Sequence, residues 1–141
     1  MARIMALDVG RKRTGLAVTD GEQIIVSALD TVATGNLLPY LRSYLAHEAV
    51  ELFVVGEPRT LRNEPSESTP YVKQVCNMLA KHFPDIPVRL HDERFTSSLA
   101  QQVILHAGVP KLKRQNKALT DRVSAIIILQ SFLEARQLQK R

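Results

Sequence analysis

Short runs of apolar residues in this chain break at a glycine or an acid, and longer stretches repeat their apolar positions every three to four residues. Residues 3–9, RIMALDV, and 15–20, GLAVTD, read as strands joined by the turn GRKRT. The Asp-Gly pair at 20–21 predicts a hairpin into a third strand, QIIVSALDTV, over 23–32. In NLLPYLRSYLAHEAV (36–50), Leu37, Leu38, Leu41, Tyr44 and Leu45 share one helix face. Pro39 is tolerated there because amides of the first turn have no intrahelical partner. ELFVVG at 51–56 reads as a buried strand, and the polar stretch 57–69 as a loop. Val72, Val75, Cys76, Leu79 and Phe83 mark a second amphipathic helix stopped by Pro84. IPVRLHDE (86–93) is a fifth strand that ends in acids, and TSSLAQQVILHAG (96–108) a short helix opened by Thr96.

The last element sets two signals against each other. AIIIL (125–129) is β-branched and strand-like by propensity alone. The pattern LTDRVSAIIILQSFLEARQLQ runs far beyond strand length, with Thr120 as a candidate N-cap and Asp121 suited to the helix dipole. A helix buried on most of its circumference is predicted. The order β-β-β-α-β-α-β-α-α implies one α/β domain over residues 1–141, a mixed five-stranded sheet with helices on both faces.

Composition changes this picture little. The chain has 141 residues and one cysteine, Cys76, and lacks the Cys/His spacing of structural zinc. His47, His82, His91 and His106 show no i, i+4 pairing, which argues against a histidine metal site. The apolar part of the N-terminus is too short for a signal peptide, and no run reaches a membrane span. A soluble, cytoplasmic protein with no membrane partner is expected.

Charge matters more. The formal net charge is +5, with basic residues gathered in RKR at 11–13, KLKRQNK at 111–117 and QKR at the end. Such clusters fit a polyanion such as nucleic acid, or equally a solvated surface.

Acids stand at three element edges: Asp8 after the first strand, Asp92 and Glu93 after the fifth, and Asp121 at the start of the last helix. Hard cations such as Mg²⁺ take oxygen ligands, and two such ions about 4 Å apart support phosphodiester hydrolysis. Each acid also has an ordinary reading, Asp121 as a helix-start residue and Asp92 as a solvated strand end. The glycines add to the case. Asp8, Gly10 and Gly15 form D-x-G-x(4)-G, and glycine lets backbone pass close to a ligand or turn tightly.

Four motifs in order then carry a resemblance over nearly the whole chain. ALDVGRKRTGLAVTD, FVVGEP, RLHDERFTS and LTDRVSAIIILQSFL resemble the motifs of the YqgF/RuvX family, Holliday-junction-resolvase-like proteins also described as pre-16S ribosomal RNA nucleases. The resemblance implies a ribonuclease-H-like fold and a metal-dependent endonuclease acting on structured nucleic acid, foremost the 5′ end of precursor 16S ribosomal RNA. It implies Asp8, Glu93 and Asp121 as catalytic acids holding Mg²⁺ or Mn²⁺, with Asp92 in reserve. Arg94 and Thr96 match signature slots that contact phosphate or brace the acids. A salt bridge for Arg94 and an N-cap for Thr96 are the plainer alternatives. Arg13 fits a slot that is usually basic.

Asp8, Glu93 and Asp121 are expected to face one solvent-open cleft at a sheet edge, and Lys111, Lys113, Arg114 and Lys117 to form an exposed loop beside it that binds nucleic acid, since four cations cannot be buried unpaired. The loop at 57–69 lacks the glycine of many relatives, and Ser124 stands where alanine is common. Resolution of DNA four-way junctions and a non-catalytic binding factor are the alternative functions. An actin-like ATPase, which shares the acid-and-glycine opening, needs a longer chain.

Overall fold

The structure, a computed structural model, describes residues 2–57, 69–92 and 117–139, and for 92, 117–123 and 137–139 the backbone alone. Among the described residues there are five strands: β1 (Arg3–Val9), β2 (Arg13–Thr19), β3 (Val26–Ala33), β4 (Val50–Glu57) and β5 (Val88–Asp92). The helices are α1 (Leu37–Leu45), preceded by a 3₁₀ turn over Thr34–Asn36, α2 (Thr69–His82) and α3 (Lys117–Gln139).

The sheet order is β3-β2-β1-β4-β5. β1, β2 and β3 form an antiparallel meander, while β4 pairs parallel with both β1 and β5. Strand period two sorts the side chains onto two faces. Met5, Leu7, Val9, Leu16, Phe53 and Val55 bury one face against Leu37 and Leu41 of α1 and Val72, Val75 and Leu79 of α2. Ile4, Ala6, Ala17 and Val54 bury the other against Ala125, Ile128 and Leu129 of α3. Small residues at 6, 17 and 125 let the helix lie close to the sheet, which explains how the β-branched AIIIL segment is accommodated as helix. Burial of Ala125, Ile127, Ile128 and Leu129 on more than one side of the helix overrides its strand propensity.

The predicted elements within the described residues are all present, with shifted ends. β2 starts at Arg13, two residues early, because the ladder with β1 continues through Val9↔Thr14. β3 starts at Val26, three residues late. The Asp20 carboxylate accepts the amides of Ile24 (2.8 Å) and Ile25 (3.0 Å), and Gln23 turns at φ 62°, so a longer loop replaces a two-residue turn. α1 ends at Leu45, because residues 46–48 fold back on Arg42 and Tyr44 and Ala49 already accepts the Arg3 amide. α3 begins at Lys117, so Thr120 lies inside the helix and is not its N-cap, and Asp121 falls beyond the first turn. The helix expected over 96–108 lies outside the described residues.

Candidate active site

Asp8 belongs to the register face of Ile4 and Ala6, the face that α3 covers, and its side chain is half-buried. Directly across the ladder stands Gly15. Gly15 is buried in the ladder and presents no side chain opposite Asp8.

The turn that follows is pinned at several points. The Gly10 amide donates to the Arg13 carbonyl at 2.8 Å. The Thr34 hydroxyl donates to the Gly10 carbonyl at 2.7 Å, and the Thr34 amide to the Lys12 carbonyl at 2.9 Å. The Thr34 proton is thereby committed, so the buried Thr14 hydroxyl, 3.0 Å away, must donate to Thr34 Oγ1. The start of the 3₁₀ turn therefore holds the basic turn beside Asp8. Arg11 and Lys12 are exposed on it, and Arg13 is half-buried at the first position of β2. Sequence reading missed the Thr14–Thr34 pair. Its one signal was a hydroxyl residue, Thr14, at the start of an otherwise apolar strand.

α3 runs against β1. Near its C-terminal end, Arg136 donates to Gln23 Oε1 at 3.2 Å, and Gln23 Nε2 donates to the Ala2 carbonyl at 3.0 Å and to Glu51. That end of α3 therefore sits where β1 begins, and its first turns lie toward the end of β1 that carries Asp8. Position 121 is one turn before Ala125, about 6 Å along the axis at 1.5 Å per residue. Asp8 is two residues beyond Ala6, about 7 Å along the strand. The backbone thus brings positions 8 and 121 to one end of the sheet on one face.

β5 reaches the same end. Its Leu90 pairs with Val55, which pairs with Leu7, so β5 finishes level with the close of β1. Position 92, paired with Glu57, has the register parity of Val88, which packs on the α1/α2 side. Asp92 therefore belongs to the opposite register face from Asp8. His91, on the α3 side, is within 2.8 Å of the Ser131 hydroxyl through Nε2 and meets the Phe132 ring edge-on at 6.2 Å. The contact links the edge strand to the helix.

Glu93, Arg94, Thr96, Lys111, Lys113 and Arg114 lie outside the described residues. Lys117, expected in the basic loop, is instead the first residue of α3. Among the described residues no group of three histidine, cysteine or acidic side chains gathers as a metal site. No helix among them is long and apolar enough to cross a membrane.

A meander of three strands extended by two parallel strands, with helices on both faces and an acid near the end of the central strand, is the ribonuclease-H-like architecture. The family model described as RuvX, Holliday junction resolvase, matches residues 2–135, and the chain belongs to that family. Curated relatives agree over nearly full length. A protein of Porphyromonas gingivalis named "Putative pre-16S rRNA nuclease" is 55% identical over 134 residues, 95% of this chain and 97% of its own. One of Parabacteroides distasonis with the same name is 48% identical over 139 residues, 99% of each chain. Among solved structures, T. thermophilus RuvC in complex with a Holliday junction substrate superposes with a TM-score of 0.55 at 15% identity. That match covers 91% of this chain and 92% of RuvC, and it bears on the fold. The chain is a nuclease of this fold, and its substrate is a nucleic acid.

Proposed function

We propose that the chain is a metal-dependent endonuclease that trims the 5′ end of precursor 16S ribosomal RNA, with Asp8, Glu93 and Asp121 as its acidic set. The observation that carries this reading is the placement of Asp8. It closes the central strand, half-buried on the α3 face, across from a glycine and at the sheet end toward which the first turns of α3 run. Relatives matched over nearly their full length and named for pre-16S ribosomal RNA support that substrate. The register speaks against Asp92 as a member of the set, since position 92 has the parity of the opposite face.

The donor set fits a hard divalent cation, because carboxylate oxygens are the ligands Mg²⁺ and Mn²⁺ prefer. Such ions, when bound, supply an activated water and stabilisation of the leaving oxygen. The chain's own part is positioning. The pinned turn after Asp8 keeps its carboxylate from drifting, and Arg11, Lys12 and Arg13 offer positive charge to the phosphate backbone beside it. Arg94, Thr96, Lys111, Lys113, Arg114 and Lys117 extend that basic surface in this reading.

The test is cleavage. With Mg²⁺ or Mn²⁺ the protein should cut an RNA spanning the precursor 5′ region, and chelation should abolish cutting. The Asp8→Asn variant should bind that RNA and cut it far more slowly. Equal cutting by parent and variant would remove Asp8 from the chemistry. The family description favours one second reading, cleavage of a four-way DNA junction, and a junction assayed in parallel decides between the substrates.

A further inference from the structure

A cavity of about 370 Å³ opens on the α1/α2 side, next to the turn that follows Asp8. Arg11 lines it from the turn, Leu38, Val75 and Met78 provide apolar surface, and Tyr71 and Gln74 of α2 add an aromatic ring and an amide. Thr34 also lines it, and its hydroxyl donates to the Gly10 carbonyl at 2.7 Å, two residues from Asp8. The cavity and the acid thus share one rigid turn. The volume lies within the roughly 300–1,000 Å³ of small-ligand sites.

The lining is mixed in a particular way. Tyr71 is half-buried, with its ring packed against the α1/α2 core. Gln74 and Arg11 are exposed. Apolar and aromatic surface, an amide able both to donate and to accept, and a cation together match the three parts of a nucleotide. The base stacks on apolar and aromatic surface, its edge meets an amide, and its phosphate meets a guanidinium. A base paired in a duplex cannot enter such a recess, whereas one in a loop or single strand can.

We infer that this cavity is a subsite for one unpaired nucleotide of the substrate, its base held by Tyr71 and Gln74 and its phosphate by Arg11. The inference rests on the nucleic-acid reading of the chain, and it adds a source of selectivity for single-stranded or looped segments near the cut. It places sequence preference on the sheet face opposite Asp8, with the strand crossing the sheet end over the pinned turn.

The test is equilibrium binding of the full-length protein in chelator, so that no cutting intervenes. The probes are a short single-stranded RNA with 2-aminopurine at one position and the same RNA with an abasic site there. The parent should quench 2-aminopurine and bind the abasic RNA about tenfold more weakly, the size expected from losing one stacked base. Tyr71→Leu should bind both RNAs alike, whereas Tyr71→Phe, which keeps the ring and its packing, should retain the distinction. Gln74→Ala should change the order of affinity among the four bases at that position. Arg11→Ala should weaken both RNAs equally and lower the salt dependence. A parent that binds the abasic RNA as tightly as the intact one overturns the subsite, as does Tyr71→Leu weakening both RNAs by the same factor. Base-dependent binding by a protein that cuts nothing in Mg²⁺ would sustain the subsite and overturn the nuclease mechanism. Cutting without base dependence would do the reverse.

Discussion

Replacing Gly10 by alanine is a sharp probe of how rigidly the turn beside Asp8 is held. A Cβ built at residue 10 lies 2.8 Å from the Arg13 carbonyl oxygen, closer than real Cβ atoms approach, and the obstacle is backbone. Arg13 cannot withdraw alone, because its carbonyl accepts the Gly10 amide at 2.8 Å and the next residue is in the β1–β2 ladder. Relief must therefore open the turn, straining the bond between the Gly10 carbonyl and Thr34 as well. Overpacking costs about 1–3 kcal/mol, and each weakened hydrogen bond adds about 0.5–1.5 kcal/mol. A loss of about 2–4 kcal/mol is expected. With a urea m-value of about 2 kcal/mol/M, the unfolding midpoint should fall by about 1–2 M. Cleavage of precursor RNA under native conditions should fall too, because the displaced residues adjoin Asp8. A Gly10→Ala midpoint within 0.2 M of the parent would refute the rigid-turn argument. Loss of stability with full cleavage would show that the turn does not position Asp8.

Further outcomes follow from other contacts. Thr19→Val keeps shape but removes the hydroxyl that accepts the buried Ile4 amide at 2.9 Å, so about 1–3 kcal/mol should be lost in urea unfolding. Ser131→Ala removes the β5–α3 link through His91 and should lower kcat for RNA cleavage more than it raises KM, with Ser131→Thr restoring part of the rate. The Asp20 carboxylate accepts the Ile24 amide and then the Ile25 amide, which hold its pKa below the ordinary 3.8. Its stabilising effect should be complete above about pH 4 and lost as pH falls through the lowered folded value, so Asp20→Asn should flatten the acid limb of the stability curve. Burial, and after it Glu57, raises the Cys76 thiol pKa, so at pH 8 the native thiol should react with iodoacetamide more slowly than the unfolded chain. Alanine at Lys111, Lys113, Arg114 and Lys117 should weaken RNA binding and reduce its slope against salt, and an unchanged slope would make them plain surface residues.

The parts of the fold that follow from period were legible in the sequence. β1 as a short apolar run and the apolar faces of α1 and α2 follow from which positions are apolar, and the helix through AIIIL follows from the length of the pattern around it. Element ends were less legible, for identifiable reasons. Asp20 was read as half of an Asp-Gly turn, whereas its carboxylate organises a longer loop ending with Ile24 and Ile25 at 70% and 63% exposure. Thr120 looked like an N-cap because hydroxyl residues open helices, yet three residues before it are already helical. For the site, the sequence pointed to Asp8, Glu93 and Asp121 through motif resemblance, and the fold adds the common sheet end for positions 8 and 121. The Thr14–Thr34–Gly10 linkage spans 24 residues of chain, and no local pattern announces a contact of that range.

The burial of Ile4 and Ala6 beneath Ala125 and Ile128 also sets an order of assembly. Residue 8 is made 113 residues before residue 121, since 121 minus 8 is 113. At about 5–20 residues per second, translation separates the two by about 6–23 s. During that interval the nascent chain can hold strands β1 to β5 and the helices of one face, while the layer that covers Ile4, Ala6, Ala17 and Val54 is missing. The late segment that completes this sheet face also carries Asp121. Synthesis thereby acts as a timer, and in a chain stalled or truncated before residue 117 that face remains uncapped.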